Sequence, residues 1–301
     1  WVPRVWIDRG RMPNLPDVVV HVENSSQLSR ILKIANQYRI PVVPWGGGSG
    51  SQGGALPIKG GIVVDLKKMN KIVEINPESM TYTAECGIIH QVLEWELNRC
   101  GYSTMHLPAS TSCATLGGYL AHRGSGVASS KYGKIEDLIV TMEVVLPDGT
   151  VINTPPVPRH AAGPDLNQLF IGSEGTLGII TKATMKMFPL PEKRVFRAFI
   201  FKDLSSAIEA GRIVMTNGAT PSILRLYDPV ETRERLEKIL GIEKEGAYMV
   251  YGYDGPSQLV DVQESIARQA FSEFADEDLG PELGELWWDR RFHFYFPPYC
   301  L

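Results

Sequence analysis

Three glycine-bearing stretches combine residue types that could cradle a phosphorylated ligand. The first is Pro44-Trp45-Gly46-Gly47-Gly48-Ser49-Gly50-Ser51, continuing to Gly53-Gly54. The second is Pro108-Ala109-Ser110-Thr111-Ser112-Cys113-Ala114-Thr115-Leu116-Gly117-Gly118, continuing through Ala121-His122-Arg123-Gly124-Ser125-Gly126. The third is Gly172-Ser173-Glu174-Gly175-Thr176-Leu177-Gly178, leading into Ile179-Ile180. Residues without a bulky side chain let a backbone approach a ligand, so that N–H and hydroxyl groups converge on phosphate oxygens. One such loop by itself is a flexible connector; three in this order and spacing are a ligand-binding set. The first is not a dinucleotide G-x-G-x-x-G, because it does not open straight into a periodic helix, and no Gly-Lys-Ser/Thr follows to make a P-loop. Nicotinamide and ATP chemistry therefore lack their usual signatures.

Metal and thiol chemistry find no pattern. Cys86, Cys100, Cys113 and Cys300 stand far apart with no C-x-x-C, which reads as reduced thiols in a cytosolic protein. The six histidines are scattered, with no H-x-x-x-H pair. His122 and His160, with Arg159, flank the glycine loops and are read as polar or ion-pairing neighbours rather than catalytic groups.

The elements that must hold these loops are legible. Val18–Val22 is a β-branched run, Asn24 and Gln27 form a capping box, and Leu28, Ile31, Leu32 and Ala35 recur at helical spacing. Ile40–Val43 then gives a βαβ unit whose two strands should be parallel. Further strands are expected at 62–66, 72–75, 81–85, 141–146, 150–153 and 179–187, and a helix at 88–98. Pro147-Asp148-Gly149 marks a hairpin. Beyond Pro189 and Pro191 the pattern becomes a second alternation: strands at 195–201, 223–227 and 248–253, and helices at 231–240 and 258–275. A further helix is expected to run from a Ser206-x-x-Glu209 cap to about Asn217.

The 301 residues suggest about two domains, divided near residue 190. With 44% hydrophobic and 21% charged residues, the chain is globular. A net charge of −4 argues against a nucleic-acid surface, and no apolar run reaches membrane-spanning length. The start at Trp1, without a signal sequence, and the end at Leu301 lead us to expect a piece of a longer cytoplasmic protein.

Together with Tyr132-Gly133-Lys134-Ile135-Glu136-Asp137-Leu138, the three loops resemble those of the vanillyl-alcohol oxidase/p-cresol methylhydroxylase superfamily of FAD-binding flavoproteins. The branch it resembles contains D-lactate dehydrogenase, the glycolate oxidase flavin subunit and alkyldihydroxyacetone-phosphate synthase. The resemblance implies an α+β fold: a two-subdomain PCMH-type FAD-binding domain over 1–190, then part of an α+β substrate (cap) domain over 191–301. It makes Pro44–Ser51 the pyrophosphate loop. Pro108, Ala109, Ser110, Thr111, Ala114, Thr115, Gly117, Gly118 and the Ala121–Ser125 stretch wrap the flavin and ribityl-pyrophosphate. Glu174, Gly175, Gly178, Ile179 and Ile180 reach the adenosine end. A Cβ at Gly47 is expected to collide with the cofactor, and Ser49 to supply one hydroxyl contact.

The implied activity is oxidation of a 2-hydroxy acid of the lactate or glycolate class, with electrons leaving for a quinone, oxygen or an iron–sulfur partner. An anionic substrate calls for an arginine clamp. Trp287-Trp288-Asp289-Arg290-Arg291 offers Arg291, the preferred W-x-x-R arginine, and Arg290. Two other readings accompany this one. Pro158-Arg159, Gly163-Pro164-Asp165 and Pro221-x-Ile223-x-Arg225-Leu226 lean toward the synthase, an FAD transferase without net redox change. A non-catalytic subunit of an electron-transfer complex, as homodimer or hetero-complex, is the third. The resemblance implies that the family's catalytic Tyr and His residues are to be expected beyond Leu301, so no catalytic residue is assigned.

No histidine occupies the first loop, where tethered relatives attach their flavin, and Cys113 is read as a small residue packed near the ring. The flavin should therefore be non-covalent. Acid precipitation should leave the yellow colour in the supernatant; fluorescence retained on the denatured polypeptide would contradict it.

Overall fold

The computed structural model describes residues 14–294. Its contacts divide the chain into two compact units. The first gathers residues up to Thr104, Ser110–Ser125 and Lys134–Pro189; the second gathers Met105–Ala109, Gly126–Gly133 and the chain from Leu190.

In the first unit, β1 (Val18–His21), α1 (Ser25–Tyr38), β2 (Val42–Trp45) and β3 (Ile62–Asp65) form a parallel three-stranded layer. Asn24 caps α1 by accepting from the Gln27 N–H at 2.9 Å, while the Gln27 side chain accepts from Glu23 N–H. The two strands of the expected βαβ unit are parallel, as read from the sequence. β1 and β2 run the same way but are not neighbours, because β3 lies between them, with Ile62 opposite both Val18 and Val42. The reason is burial: Val63 and Val64 are buried, whereas Val18 and Val19 are exposed. A strand covered on both faces takes the centre of a parallel sheet.

A five-stranded antiparallel sheet completes this unit, in the order β4 (Ile72–Asn76), β5 (Thr81–Glu85), β9 (Ile179–Lys186), β7 (Ile139–Val145) and β8 (Val151–Asn153). The Pro147-Asp148-Gly149 turn joins β7 to β8 as expected. Against this sheet packs α2 (His90–Arg99), which buries Leu93 and Leu97, and α3 (Leu116–Ala121), which buries Leu116 and Leu120. The second glycine stretch is thus part helix. Thr115 caps α3 with its hydroxyl, which accepts from Gly118 N–H. A two-stranded ribbon, β6 (Tyr102–Ser103) with β10 (Phe188–Pro189), closes one edge.

The second unit is an antiparallel sheet ordered β12 (Ile223–Tyr227), β13 (Ala247–Gly255), β11 (Lys193–Phe201), β14 (Glu277–Leu279). Both faces are covered. Phe196, Ala198 and Ile200 of β11 pack toward α6 (Gly280–Arg290) and its Trp287. Phe199 and Phe201 pack toward α4 (Leu204–Thr216) and α5 (Ser257–Ser272). This explains why β13 reads as an almost unbroken apolar and aromatic run. The α4 cap is Asp203, not Ser206: the Asp203 carboxylate accepts from both the N–H and the hydroxyl of Ser206. Asp203 has the extended backbone of an N-cap, so its carboxylate is placed to take the orphan amide one turn on, whereas Ser206 is already inside the helix. The segment expected as one helix over 231–240 starts earlier, at Pro229 behind an Asp228 cap, and has a π-helical turn over Thr232–Leu236. No described helix is long and apolar enough to cross a membrane.

Candidate functional site

The first loop leaves β2 with its carbonyls engaged. Trp45 O accepts from Leu66 N–H at 3.0 Å, and Gly46 O accepts from the Lys67 ammonium at 3.1 Å. That ammonium is itself held by the buried Asp65 carboxylate at 2.6 Å. Among the described residues, the backbone N–H groups of Gly46–Ser51 donate to nothing. Gly48 has a φ of +61°, a left-handed backbone that favours glycine.

Gly47 is closed to a side chain by the protein itself. A Cβ built there would run into the Cys113 backbone carbonyl, and one on Gly46 into the Thr115 hydroxyl. These glycines are required because the first loop lies directly on the second, whatever the cofactor adds. Gly50 differs, since a Cβ there meets nothing within 4 Å and its backbone needs no special conformation.

The second loop is shaped from behind by α2. The N–H of Gln91 donates to Thr111 O at 3.0 Å, and that of His90 to Ala114 O at 2.8 Å. Ser110 O accepts from Cys113 and Ala114 N–H at 3.0 and 2.8 Å. The fully buried His90 ring places Nδ1 2.6 Å from the Thr111 hydroxyl and Nε2 3.2 Å from that of Thr104. The carbonyls are thus spent inward, while the N–H groups of Ser110, Thr111 and Ser112 make no bond to a described residue. Cys113 Sγ donates to Ser110 O at 3.5 Å, as a small packed side chain. Pro108 and Ala109 belong to the second unit.

The third loop ties to both others. Glu174 N–H donates to Ala121 O at 3.0 Å, and His122 Nδ1 lies 3.4 Å from the Glu174 carboxylate. A Cβ on Gly54 would meet that carboxylate, and one on Gly175 would meet the Pro44 ring. Arg123 turns away to the carbonyls of Gln168 and Ile171, and Gly124 bonds Tyr119 O and Ile135 N–H. Ser125 is exposed. Gly117 N–H is spent on Cys86 O. Gly178, Ile179 and Ile180 are buried: the two isoleucine side chains enter different cores, so only their backbone is left for a ligand.

The donor set fits a dinucleotide pyrophosphate. Two runs of unspent N–H groups, Gly46–Ser51 and Ser110–Ser112, belong to loops in direct contact, with small side chains throughout. Unspent donors in half-buried backbone are costly unless water or an anion takes them.

The second unit contains a cationic cluster. Asp254 on β13 is 1% exposed and accepts from Lys131 at 3.0 Å, from the Tyr132 hydroxyl at 2.7 Å and from Arg194 at 3.3 Å. Burial, then the Asp254 carboxylate, pushes the Tyr132 phenol up, so it stays a donor. The Arg291 guanidinium lies 3.6 Å from the Trp288 ring centre, and Arg194 approaches the same ring at 5.1 Å. Among the described residues, neither Arg194 Nε nor Arg291 Nε, both buried, has a hydrogen-bond partner. Arg290 is exposed and committed to Ile239 O at 2.7 Å. Arg291 also gives Nη1 to a carbonyl, that of Trp288, but it is the less exposed of the two and keeps its buried Nε without a partner among the described residues. Sequence reasoning missed His90, Arg194 and Asp254; a buried aspartate ending an apolar strand was the one available signal.

Residues 16–155 match the family model of the FAD binding domain. The chain carries an FAD-binding domain. It is 42% identical over 216 residues to the uncharacterised FAD-linked oxidoreductase YgcU of Escherichia coli K12, covering 71% of this chain and 45% of that protein. It is 34% identical over 216 residues to the glycolate oxidase subunit GlcD of Bacillus subtilis, covering 71% and 46%. A solved alkyldihydroxyacetonephosphate synthase superposes with a TM-score of 0.81 at 30% identity, over 93% of this chain and 54% of that one. The chain spans about half the length of these relatives. The cofactor of this flavoprotein is FAD, and the unspent amides of the two loops are where its pyrophosphate is expected.

Two measurements check this site. Gly50→Ala should fold as the parent does yet weaken flavin binding by about tenfold or more, or ~1.4 kcal/mol. Gly47→Ala should lose thermal stability even after the flavin is stripped, because its obstacle is Cys113. Flavin-to-protein absorbance ratios and melting curves of both variants decide; unaltered flavin affinity in Gly50→Ala would remove the pyrophosphate assignment. Separately, burial and then the Arg194 charge lower the Arg291 pKa to about 10, with exposed Asp289 opposing. The guanidinium is charged at neutral pH, and anion affinity should decline as pH rises through about 10; affinity flat beyond that pH would exclude Arg291 as the anchor.

Proposed function

We propose that this flavoprotein is an FAD-dependent oxidoreductase that takes a 2-hydroxy acid and passes the electrons to a separate acceptor. The observation that carries the reading is Arg291, a guanidinium stacked on Trp288 with an unpartnered buried Nε. A planar cationic fork in that setting suits a carboxylate. The likeness to a glycolate oxidase subunit and to an FAD-linked oxidoreductase supports it.

FAD, when bound, supplies the two-electron sink. The chain's own contribution is positional. Gly46–Ser51 and Ser110–Ser112 hold the pyrophosphate with backbone N–H groups, His122 and Glu174 link the second and third loops, and Arg291 orients the substrate's acid group. Residues 1–190 serve as the cofactor domain and 191–301 as part of the substrate domain. The attachment is non-covalent, and the acceptor is a quinone, oxygen or an iron–sulfur partner in a reducing cytoplasm, where Cys86, Cys100 and Cys113 remain free thiols.

A second reading, synthase-like transfer without net oxidation, is favoured by the superposition on the solved synthase over both units. Anaerobic mixing of the purified holoprotein with D-lactate, glycolate, larger 2-hydroxy acids and acyl-dihydroxyacetone phosphate separates the two. Bleaching of the flavin's yellow absorbance by at least one 2-hydroxy acid is expected. Bleaching by none, with a spectral response only to the acyl phosphate ester, would replace this reading by the second.

A further inference from the structure

The arginine cluster carries more charge than one carboxylate can balance. Lys131, Arg194 and Arg291 gather around Asp254 and Trp288 within the second unit. Asp254 is the buried counterion, and it is shared between Lys131 and Arg194. Asp289, the other carboxylate acting on Arg291, is exposed and solvated. Arg194 and Arg291 therefore share one indole ring as like charges, and each keeps a buried Nε with nothing to donate to.

Arg194 is paired with Asp254 at 3.3 Å and stacked on Trp288, yet its Nε finds no partner among the described residues. Its side chain is 28% exposed, so it is neither a core packing element nor a free surface group. Stacking on Trp288 would be satisfied by Arg291, and Asp254 would be neutralised by Lys131. A bound group with one negative charge would leave one of the two guanidinium ions uncompensated in a partly desolvated site, whereas a group with two would pair both.

We propose that Arg194 is a specificity-determining residue, and that with Arg291 it selects a substrate bearing two negative charges over a monoanion. This rests on the reading of the second unit as the substrate domain and narrows it. The shared chemistry is a dianion; a phosphate monoester and a 2-hydroxy dicarboxylate are its two sources.

The test is calorimetric titration of the holoprotein with three probes: D-lactate, 2-hydroxyglutarate and glycerol 3-phosphate. At least one dianion should bind tenfold or more tightly than lactate, and which one identifies the source. In Arg194→Met this preference should collapse toward unity. In Arg194→Lys, which keeps the charge without the planar fork, part of it should survive. Flavin content and melting temperature report that each variant is folded; should Arg194→Met fail to fold, Arg194→Lys and the parent carry the comparison. Lactate binding as tightly as both dianions in the parent, or Arg194→Met keeping the full preference, overturns the proposal while leaving the oxidoreductase reading intact. Failure of all three probes to bind overturns both.

Discussion

The capping of α2 by the second glycine loop is the constraint on which the site depends. A helix N-terminus presents orphan N–H groups, and here Thr111 and Ala114 supply the carbonyls that satisfy two of them. A peptide has only one orientation. Turning those carbonyls toward α2 leaves the neighbouring N–H groups of Ser110–Ser112 for something else. His90 reinforces the choice by holding the Thr111 hydroxyl from a buried position. The first loop then lies on the second because Gly46 and Gly47 permit contact with Thr115 and Cys113. The third closes on the first because Gly175 permits contact with Pro44. Anion-binding character thus begins as a helix-capping problem in a region whose own side chains are mostly uncharged.

The second unit solves a different problem. Its sheet is covered on both faces, so a polar group on the central strand β13 must be paired where it stands. Asp254 sits near the end of that strand and is paired three times. The donors are Lys131, Tyr132 and Arg194 of β11, so one carboxylate fixes two stretches of chain. The aromatic rings Phe196 and Trp288, stacked at 4.9 Å, supply the rigid floor.

Much of this was legible in the sequence where the local signal was also the deciding one. The Asn24 cap, the Pro147–Gly149 hairpin and the glycine loops announce themselves because turn and cap chemistry is local. The order β1-β3-β2 was not legible: it depends on which of three similar apolar runs is covered twice, and that is a tertiary property. Ser206 misled because a serine followed by Glu209 imitates a cap, while Asp203 had already taken the N–H groups. At Gly47 the sequence did not disclose the Cys113 carbonyl, since a glycine run cannot tell a second loop from a ligand as a neighbour that forbids a side chain. Arg291 could be nominated from its motif, but Arg194 could not, because β11 and α6 meet only in the folded sheet.

The chain does not divide cleanly at its second half. Leu107, Val127, Ala128 and Tyr132 belong to the core of the second unit, whose strands β11, β12 and β13 are not encoded until residues 193–255. The stretches between and around them, 110–125 and 134–189, belong to the first. During synthesis these four apolar side chains emerge long before their partners exist, flanking the very loop that the cofactor needs. The first unit therefore cannot mature strictly ahead of the second, as sequential domains do. Its contacts are interleaved over long sequence separations, which slows folding and makes it more cooperative. An excised fragment ending at 190 would carry that apolar segment without its core, and in the nascent chain it is a stretch for a chaperone to shield.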